Sequence, residues 1–353
     1  MMQSNSFLLY GANGYTGKLI ARYAHIYGLQ PILAGRSKEA IEQLAAELNL
    51  PFKIIDLNNT PELQAALEQT NLVIHAAGPF AATASQMVEA CLKSGTHYID
   101  INGDISVFEM IKSFDAAAKE KNIMLMPGAG FDVVPTDCLA LHLKNKLPNA
   151  TLLRLAFASL GGTISHGTAM TMLSKLGEGG ATRIDGKIKR QTLGSKSLCV
   201  DFGIKKLFVM SIPWGDISTA FFTTGIGNIE TYTAIKPALY KFLKLQNLFN
   251  WLLRMAWFKN ILRNKIKQRS PGPTDEQRGN AKTLVWGEVT NDQGEKFSAH
   301  FRCADGYTLT AHSSLLISKK ILEGNFKPGY QTPAACYGES LVHEIPGTQP
   351  WIS

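Results

Sequence analysis

Short apolar runs alternate with amphipathic segments along the first 145 residues of the chain. The runs predict strands over 6–10, 31–34, 52–55, 72–75, 98–101 and 123–126. Between them, apolar residues recur at helical spacing, as at Ile41, Leu44, Ala45 and Leu48. Apolar strands separated by helices of about 10–15 residues are typical of βαβ units. The pattern therefore predicts an α/β fold with a doubly wound parallel sheet.

A different pattern, alternation of single apolar and polar residues, follows between 283 and 314. The alternation runs up to Asp292-Gln293-Gly294 and resumes after it, and a further strand is expected over 307–311. Alternation on both sides of a turn is typical of a hairpin in an antiparallel sheet. We therefore expect a second α+β domain with a mixed or antiparallel sheet and helices on one face.

Composition agrees with a folded enzyme-sized chain of 353 residues, in which 45% of residues are hydrophobic and 18% are charged. This apolar share excludes disorder and coiled coil. Five scattered cysteines without a CxxC pair argue against a zinc site and favour a reducing compartment. The N-terminus resembles no signal peptide, and we find no charge-free apolar stretch of about 20 residues. We therefore expect a cytoplasmic protein without a metal.

A glycine motif follows the first predicted strand and opens a helix predicted over 18–27. It consists of Gly11, Asn13, Gly14, Tyr15, Thr16 and Gly17, with Ala12 between the first two. Glycine permits the tight turn, the approach of a pyrophosphate and close packing of the helix on the sheet. The helix N-terminus then presents N–H groups to the phosphates. The alternative is an ordinary turn, but the place at the first βαβ junction favours a dinucleotide loop.

The end of the second strand points to the type of dinucleotide. An NAD enzyme usually has an acidic residue near this position, for the ribose 2′-hydroxyl. Here the chain has Arg36, Ser37 and Lys38. A guanidinium binds a 2′-phosphate through charge-assisted hydrogen bonds, whereas a carboxylate repels it. The sequence therefore predicts NADP(H), the alternative being a surface arginine at a helix start.

Two further strand ends complete the predicted cofactor site. Asp56 follows the third strand and is a candidate acceptor for the adenine amino group, or equally a turn or capping residue. The fourth strand runs into Ala77, Gly78, Pro79 and Phe80. Small residues there let the backbone pass close to the ribose and nicotinamide, although a tight strand-to-helix turn needs the same residues.

Seven motifs occur in an order that identifies a family resemblance. They are GANGYTG, AGR, AAGPF, GTHYIDINGD, GAGFDVVPTD, GPTDEQR and TPAACYGESL. The chain resembles the saccharopine dehydrogenase-like NADP-binding oxidoreductases, in the short branch that includes the trans-acting enoyl reductases. The resemblance implies a Rossmann domain, placed at 1–130, and a substrate and dimerisation domain at 131–330. It also implies that 331–353 returns to the Rossmann domain, and Thr332-Pro333 suits the start of a helix.

The resemblance also suggests catalytic residues. In saccharopine-type enzymes, the loop similar to 127–137 lies beside the nicotinamide. This implies that Gly130 binds the cofactor and that Asp132 and Asp137 are acid, base or orienting candidates, unless they cap the loop and helix. The sequence itself, without the resemblance, adds a third candidate: His166 follows the Gly161-Gly162 turn into a helix and is a candidate proton donor, or otherwise a surface histidine.

Most of the net charge of +8 lies in one segment, because 231–270 holds nine lysines and arginines and no acid. Apolar residues recur there at helical spacing, including Leu239, Phe242, Leu245, Phe249, Leu252 and Ala256. This basic amphipathic segment either covers an apolar pocket and docks an acidic carrier, lies on an anionic membrane, or packs in the fold or a homodimer. We expect no nucleic acid partner, because no known binding module accompanies the charge.

We therefore expect an NADP(H)-dependent oxidoreductase. Aromatic and apolar residues around the basic segment favour reduction of a C=C bond in an enoyl thioester that is lipid-like or carrier-bound. A saccharopine-type C=N reductase is the first alternative, since the second half supplies cations for carboxylates: Arg154, Lys175, Arg183, Lys187 and Arg190. A non-catalytic NADP sensor or scaffold is the second.

The short-chain dehydrogenase pattern Tyr-x-x-x-Lys occurs at Tyr232/Lys236 and Tyr240/Lys244. That family carries its pair on a helix of the dinucleotide-binding domain. Both pairs here lie far beyond that domain, so we interpret them as chance matches.

Overall fold

The computed structural model of the protein describes residues 5–246 and 250–353. These residues form two compact units. The first contains the described residues up to Val134 together with Gly306–Tyr337, and the second contains Pro135–Asp305 and Gly338–Ser353.

A parallel sheet forms the centre of the first unit. Its strands are β1 (Ser6–Tyr10), β2 (Gln30–Gly35), β3 (Phe52–Ile54), β4 (Leu72–His75), β5 (His97–Asp100), β6 (Met124–Met126) and β15 (Gly329–Tyr330). They are ordered β15-β6-β5-β4-β1-β2-β3, and each neighbouring pair is parallel. The order reverses between β1 and β4, as in doubly wound dinucleotide folds. The predicted Rossmann sheet is therefore confirmed, including all six strands expected from the sequence.

The helices of the first unit follow the strands in the predicted alternation. They are α1 (Tyr15–Tyr23), α2 (Lys38–Leu48), α3 (Thr60–Leu67), α4 (Phe80–Ser94), α5 (Ile105–Lys112), α6 (Asp115–Glu120), α14 (Gly306–Leu322) and α15 (Pro333–Tyr337). Helix α1 begins three residues earlier than expected, and its predicted last turn is a 3₁₀ helix, Ala24–Tyr27. Helix α15 starts with Pro333 at its first position, as predicted.

Helix α14 corrects one prediction, because the strand expected over 307–311 is the start of this helix. Leu309 and Ala311 are both buried. Over a segment of five residues, this spacing of apolar residues fits a helix as well as a strand. The helix is buried despite its serines, because their hydroxyls donate to carbonyls one turn earlier; Ser318 Oγ, for example, donates to the Ser314 oxygen at 2.7 Å. Internally bonded serines pack like small residues, and the sequence pattern did not reveal this.

The division of the chain also differs from the expected boundaries at 130 and 330. The return to the first unit begins with α14 at Gly306, because α14 packs along α1. From Gly338 onwards the chain lies in the second unit, where Trp351 packs edge-on against Phe301 with ring centroids 4.6 Å apart. The segment 331–353 is therefore shared between the units.

A mixed sheet forms the second unit. Its strands are β7 (Leu152–Leu160), β8 (Gly180–Ile184), β9 (Lys187–Gln191), β10 (Ser197–Asp201), β11 (Lys206–Ser211), β12 (Asn228–Ala234), β13 (Lys282–Thr290) and β14 (Lys296–Ala304). The order is β10-β11-β12-β7-β13-β14, with β8 joining β12 to β9. Strands β7 and β12 are parallel and the others pair antiparallel. The predicted hairpin is β13–β14, with Val285 opposite Phe301.

The helices of the second unit include the basic segment. They are α7 (Val134–Lys146), α8 (His166–Ser174), α9 (Asp216–Thr224), α10 (Pro237–Gln246), α11 (Asn250–Leu253), α12 (Ala256–Lys267) and α13 (Asp275–Asn280). The expected helical character after Ile235 is thus observed, but the segment begins inside β12. The predicted apolar position Phe249 and the side chains of Leu245 and Leu252 lie outside the described residues. In the described ranges, no helix has both the length and the apolar character to cross a membrane.

The packing of α1 on the sheet leads to a stability prediction. A Cβ on Gly17 would collide with the Gly11 carbonyl oxygen and lie 2.9 Å from the Ala12 Cα, both of which are backbone atoms. We expect Gly17→Ala to lower the free energy of unfolding by about 1–3 kcal/mol. Gly279→Ala is the matched control in α13, where a Cβ meets nothing within 4 Å. Chemical denaturation should show no loss for the control, and equal effects of the two substitutions would contradict this packing.

Candidate functional site

The carboxyl edge of the parallel sheet gathers the loops that the sequence singled out. Strands β1, β2, β4 and β5 all end at this edge, because their pairing is parallel. Ligands of doubly wound sheets bind at this edge, next to the point where the strand order reverses. The reversal here falls between β1 and β4, and their loops contain the glycine motif and the Ala77–Phe80 turn.

Gly11 brings these two loops into contact. Its N–H donates to the Ala34 carbonyl at 2.8 Å, and its φ of +88° lies in the left-handed region that favours glycine. A Cβ at this position would lie 2.7 Å from the Ala77 nitrogen. A side chain on residue 11 would therefore separate the loop after β1 from the loop after β4.

Gly14 and the start of α1 form an open cradle. A Cβ on Gly14 would have a single neighbour within 4 Å, the Gly11 oxygen at 3.2 Å, so the space beyond it is free of protein among the described residues. Gly14 provides no side-chain cap to α1, and the first turn contains no acid. The N–H groups and positive dipole end of the helix therefore suit a pyrophosphate. This glycine cradle fits a dinucleotide.

The cationic residues after β2 lie beside this cradle. Arg36, Ser37 and Lys38 are all exposed. A Cβ on Gly35 would lie 3.2 Å from Asn13 Oδ1, so the glycine loop reaches the end of β2. These residues can therefore meet an adenosine phosphate whose pyrophosphate occupies the cradle.

The hydroxyl of Tyr10 lies within the electrostatic influence of both Arg36 and Asp56. This hydroxyl donates to the Ile55 carbonyl at 3.2 Å, and burial raises its pKa to about 12. The positive charge of Arg36 lowers this pKa and the negative charge of Asp56 raises it, so both charges act at the same tyrosine. Asp56 Oδ1 accepts from the N–H and the side-chain amide of Asn58, both at 2.9 Å. The turn role considered for Asp56 is thus present, and an adenine contact remains a prediction.

The turn after β4 is held by its own helix. Thr83 Oγ1 donates to the Ala77 carbonyl at 2.9 Å, and Phe80 is the first residue of α4. A Cβ on Gly78 would meet only Phe80 atoms at 3.8–3.9 Å, so the turn is open on that side. The Ala77–Phe80 turn therefore presents backbone and one aromatic ring at the carboxyl edge.

A buried polar network at the ends of β4 and β5 was missed by the sequence reasoning. His75 Nδ1 lies 3.2 Å from the Tyr98 hydroxyl oxygen, and this hydroxyl donates to Asp100 Oδ2 at 2.7 Å. Asp100 Oδ1 accepts from the Asn102 N–H and side-chain amide, and also from the Gly128 N–H at 2.8 Å. All three network residues are fully buried. The sequence signal for this network is an aspartate at a strand end inside GTHYIDINGD.

Burial determines the protonation states in this network. It lowers the pKa of His75 from 6.5 to about 3, partly opposed by the Ala77 carbonyl, so the imidazole is neutral. Burial raises the pKa of Asp100, and hydrogen bonds from Gly128, Tyr98 and Asn102 act in the opposite direction. A neutral imidazole and a well-bonded carboxyl make this network a rigid support for the loops around it.

The loop over 127–133 is fixed between β5 and α14. Phe131 N–H donates to Thr310 Oγ1 at 2.9 Å, and Ser313 Oγ donates to the Ala129 carbonyl at 2.7 Å. A Cβ on Gly130 would lie 2.8 Å from Thr310 Cγ2, so this glycine allows the close approach. Asp132 is half-buried, and its carboxylate occupies the space where a Cβ on Gly103 would be. Gly130 and Asp132 thus lie with the cofactor candidates in the first unit.

Asp137 and His166 belong to the second unit and have different neighbours there. Asp137 is fully buried in the first turn of α7 and accepts from Thr223 Oγ1 of α9 at 2.5 Å. His166 begins α8, and its Nε2 lies 2.7 Å from the Arg269 carbonyl oxygen. The observed contact of Asp137 joins two helices and does not test the capping role that is its alternative, and His166 contacts a neighbouring backbone carbonyl. Their catalytic roles remain predictions.

The motif GPTDEQR begins a helix. Thr274 caps α13 in a capping box with Gln277, and Arg278 is buried with its guanidinium donating to Asp275 Oδ1 at 2.6 Å. The two Tyr-x-x-x-Lys matches also have structural positions. Tyr232 lies on β12 and donates to Glu230 at 2.6 Å, while the Tyr240 hydroxyl donates to the Gly194 carbonyl at 3.1 Å.

Comparison with known sequences agrees with the glycine cradle. Residues 7–126 match the family model of the saccharopine dehydrogenase NADP binding domain. A saccharopine dehydrogenase-like oxidoreductase from Bos taurus is 27% identical over 165 residues, covering 41% of this chain and 38% of the relative. A trans-acting enoyl reductase from Mycobacterium bovis is 30% identical over 138 residues, covering 37% of this chain and 33% of the relative. A lipid droplet localized protein from Caenorhabditis elegans is 24% identical over 214 residues, covering 55% of this chain and 50% of the relative.

A solved structure extends the likeness to the complete fold. Apo saccharopine dehydrogenase (L-Glu forming) from Saccharomyces cerevisiae aligns over 99% of this chain and 100% of its own, with a TM-score of 0.68 and 12% identity. Identity this low shows the fold alone. The chain spans half or less of the length of the curated relatives it matches. The resemblance to saccharopine dehydrogenase NADP-binding domains is confirmed over residues 7–126, and with it the prediction of NADP(H).

The buried His75 predicts a pH dependence of stability. Because its folded-state pKa lies near 3 and its ordinary value is 6.5, the unfolded chain takes up the proton first as the pH falls. Its contribution is complete above pH 6.5 and is lost as the pH falls towards 3, whereas the raised pKa of Asp100 acts in the opposite sense. We expect His75→Asn to be less stable at pH 7, but to lose about 2 kcal/mol less between pH 7 and pH 5.

Urea denaturation at several pH values measures this difference. The control is His25→Asn, the same substitution at an exposed histidine. Parallel pH profiles for His75→Asn and the native protein would show that His75 is not buried in a neutral form.

Arg36 predicts cofactor selectivity. Replacing its charge-assisted bonds to a 2′-phosphate by a repelling carboxylate should weaken NADPH binding about a hundredfold in Arg36→Asp, and NADH binding by less than about tenfold. Lys93→Asp makes the same charge change at an exposed position on α4 and should alter neither affinity. Fluorescence titration of both cofactors gives the affinities. Equal losses for NADPH and NADH in Arg36→Asp would remove the 2′-phosphate role.

Proposed function

We propose that this chain, whose residues 7–126 form a saccharopine dehydrogenase-type NADP-binding domain, is an NADPH-dependent reductase. The observation that carries the proposal is the glycine cradle beside an exposed arginine at the end of β2. A structural turn would need neither an open cradle nor an uncapped, acid-free helix start. The bound cofactor supplies a hydride, and the protein supplies position and charge.

Each part of the carboxyl edge has a proposed role in holding NADP(H). The backbone N–H groups of Tyr15, Thr16 and Gly17 face the pyrophosphate. Gly11, Asn13 and Gly14 shape the loop, in which the Gly14 N–H donates to the Gly11 carbonyl at 3.0 Å. Arg36, Ser37 and Lys38 bind the 2′-phosphate, and Asp56 accepts from the adenine amino group. Ala77, Gly78, Pro79, Phe80 and Gly130 lie along the ribose and nicotinamide. The rigid His75–Tyr98–Asp100 network supports the last two loops from within the first unit.

The proposed substrate is an enoyl thioester that is small, lipid-like or carrier-bound. Hydride adds to the β-carbon of the C=C bond, negative charge develops on the thioester oxygen, and a proton completes the saturated α-carbon. Among the candidates for proton delivery or orientation we propose Asp132 first, because it is half-buried in the loop that contacts β5. Asp137 and His166 are the other candidates. The relative named a trans-acting enoyl reductase supports this reaction class.

The contacts of the second unit argue against a C=N reductase acting on amino-acid substrates. Such a substrate needs free cations for its carboxylates. Arg154 is bound to Glu230 and Glu288 at 3.1 and 3.0 Å, and Arg183 donates to the Ile217 and Gly186 carbonyls. Two of the cations considered for this role are therefore already engaged in the fold. Imine reduction is retained as an outcome of the test.

Location and assembly are proposals of the same kind. We propose a cytoplasmic protein that acts as a homodimer and contacts lipid peripherally. The name of the lipid droplet localized relative supports the proposal that this protein acts at a lipid surface.

An assay with NADPH and matched acceptors tests the function. We expect the NADPH absorbance to fall when a medium-chain enoyl thioester is added, and little turnover when NADH replaces NADPH. Deuterium from 4-deuterated NADPH should appear on the β-carbon of the product. Asp132→Asn should lower kcat by about a hundredfold or more if Asp132 acts in proton delivery, and should leave NADPH affinity unchanged. Glu109→Gln on α5 is the control for loss of a carboxylate in the same unit.

The other outcomes identify the alternatives. Turnover of imines formed from amino acids and aldehydes, without turnover of enoyl thioesters, would assign the C=N reaction. Tight NADPH binding without turnover of either panel would assign a sensor or scaffold. Failure to bind NADPH at all would overturn the redox assignment.

A further inference from the structure

Helices α11 and α12 expose large apolar side chains. In the described structure, none of the residues of α12 is buried. Trp257 and Ile261 are 55% and 49% exposed, and Trp251 on α11 is 62% exposed. Exposed tryptophans are uncommon on the free surface of a soluble domain, because burial of their large apolar area is favourable. This face therefore suits a partner with apolar character.

The orientation of α12 is fixed by contacts on its opposite side. Lys259 Nζ donates to the Ser174 carbonyl at the end of α8 at 2.7 Å, and Arg254 Nε donates to the Gly177 carbonyl at 2.9 Å. Phe258, Leu262 and Ile266 follow at four-residue spacing on this inner side and are half-buried. Trp257 and Ile261 are one turn apart on the outer side. The contacts on the inner side of α12 therefore determine that these two side chains point outward.

Cations flank the exposed apolar strip. Between 250 and 270 the chain has six lysines and arginines and no acid: Arg254, Lys259, Arg263, Lys265, Lys267 and Arg269. By helical spacing, Lys265 continues the line of Trp257 and Ile261, and Arg263 and Lys267 lie on the other flank. All three are exposed. The outer face therefore combines apolar side chains with positive charge within each turn.

We propose that α11 and α12 are a docking surface for an anionic phospholipid membrane, on which α12 lies flat. Tryptophan and isoleucine would enter the boundary between headgroups and acyl chains, and the flanking cations would pair with lipid phosphates and carboxylates. The apolar side chains protrude from a helix instead of lining a groove. Docking of an acidic protein would require a protein surface complementary in shape to these side chains. A lipid surface deforms around protruding side chains, so the arrangement favours a membrane.

A cavity lies beside the residues that follow α12. It measures about 580 Å³ and is lined by Gly162, Thr163, Ile164, Arg269, Ser270 and Gln277. These lining residues include a guanidinium and two hydroxyls but no carboxylate. Their chemistry suits an anionic oxygen group such as a lipid phosphate.

Vesicle binding by the full chain tests the proposal. The probes are vesicles of phosphatidylcholine alone and vesicles containing about 30% phosphatidylserine, whose surface carries the negative potential that basic segments require. We expect co-sedimentation with the anionic vesicles and little with the neutral ones. Binding should fall by about tenfold or more when salt is raised to about 0.5 M, because exposed charges are then screened.

Two double variants and a matched control separate the contributions. Trp257→Ala with Ile261→Ala should weaken partitioning about tenfold through loss of apolar contact. Lys265→Ala with Lys267→Ala should weaken it about thirtyfold through loss of charge. The control is Ile204→Ala with Lys205→Ala, at an exposed isoleucine and lysine between β10 and β11. NADPH affinity of all three variants verifies folding, and it also separates this proposal from the proposed function.

Several results would overturn the proposal. Equal binding to neutral and anionic vesicles would show that the protein does not recognise the charge of the lipid. Unchanged binding in both α12 variants would show that this face does not contact the membrane. Binding to an acidic acyl carrier protein without any vesicle affinity would assign the face to a protein partner. A further result separates the two proposals: if the native protein binds anionic vesicles but reduces no enoyl thioester, the proposed function is contradicted and the docking proposal is not.

Discussion

The absence of Cβ atoms at three positions of the glycine motif is the constraint on which the first unit depends. Gly11 allows the loop after β1 to touch the loop after β4, and Gly17 allows α1 to rest on that loop. Gly14 leaves the space in front of the helix open. A methyl group at the first or last of these positions would displace the backbone, and one at the second would enter the cradle. The same contacts that close the fold thus leave a site for a pyrophosphate.

A buried network stabilises the other end of the same edge. Asp100 receives hydrogen bonds from Tyr98, Asn102 and Gly128, and so connects β5 to the loop that carries Gly130 and Asp132. A buried carboxyl is tolerable because it is fully hydrogen-bonded, and a buried histidine because it is neutral. The two ends of the edge therefore use different means: missing side chains at the glycine motif, and hydrogen bonds to a buried carboxyl at the other end.

The second unit separates charge that supports the fold from charge that faces solvent. Arg154 forms ion pairs with Glu230 and Glu288 on the mixed sheet. In contrast, Lys265 and Lys267 project from α12 beside exposed Trp257. Cations of the first kind are committed to structure, whereas those of the second kind remain available to a partner. This distinction supports our proposals of a lipid-like substrate and a lipid surface over a small polycarboxylate substrate.

Local sequence determined the parallel sheet, its glycine cradle and the cation at the end of β2. Strand periodicity, glycine spacing and the residue after a strand act over a few positions, so a single chain displays them. Tertiary structure decided what depends on distant partners. Helix α14 is helical and buried because it packs on α1, and its serines satisfy themselves internally. The His75–Tyr98–Asp100 network joins residues from two strands and a loop at 128, and no local pattern specifies that meeting. Exposure of Trp257 likewise followed only from the contacts that hold the opposite face of its helix.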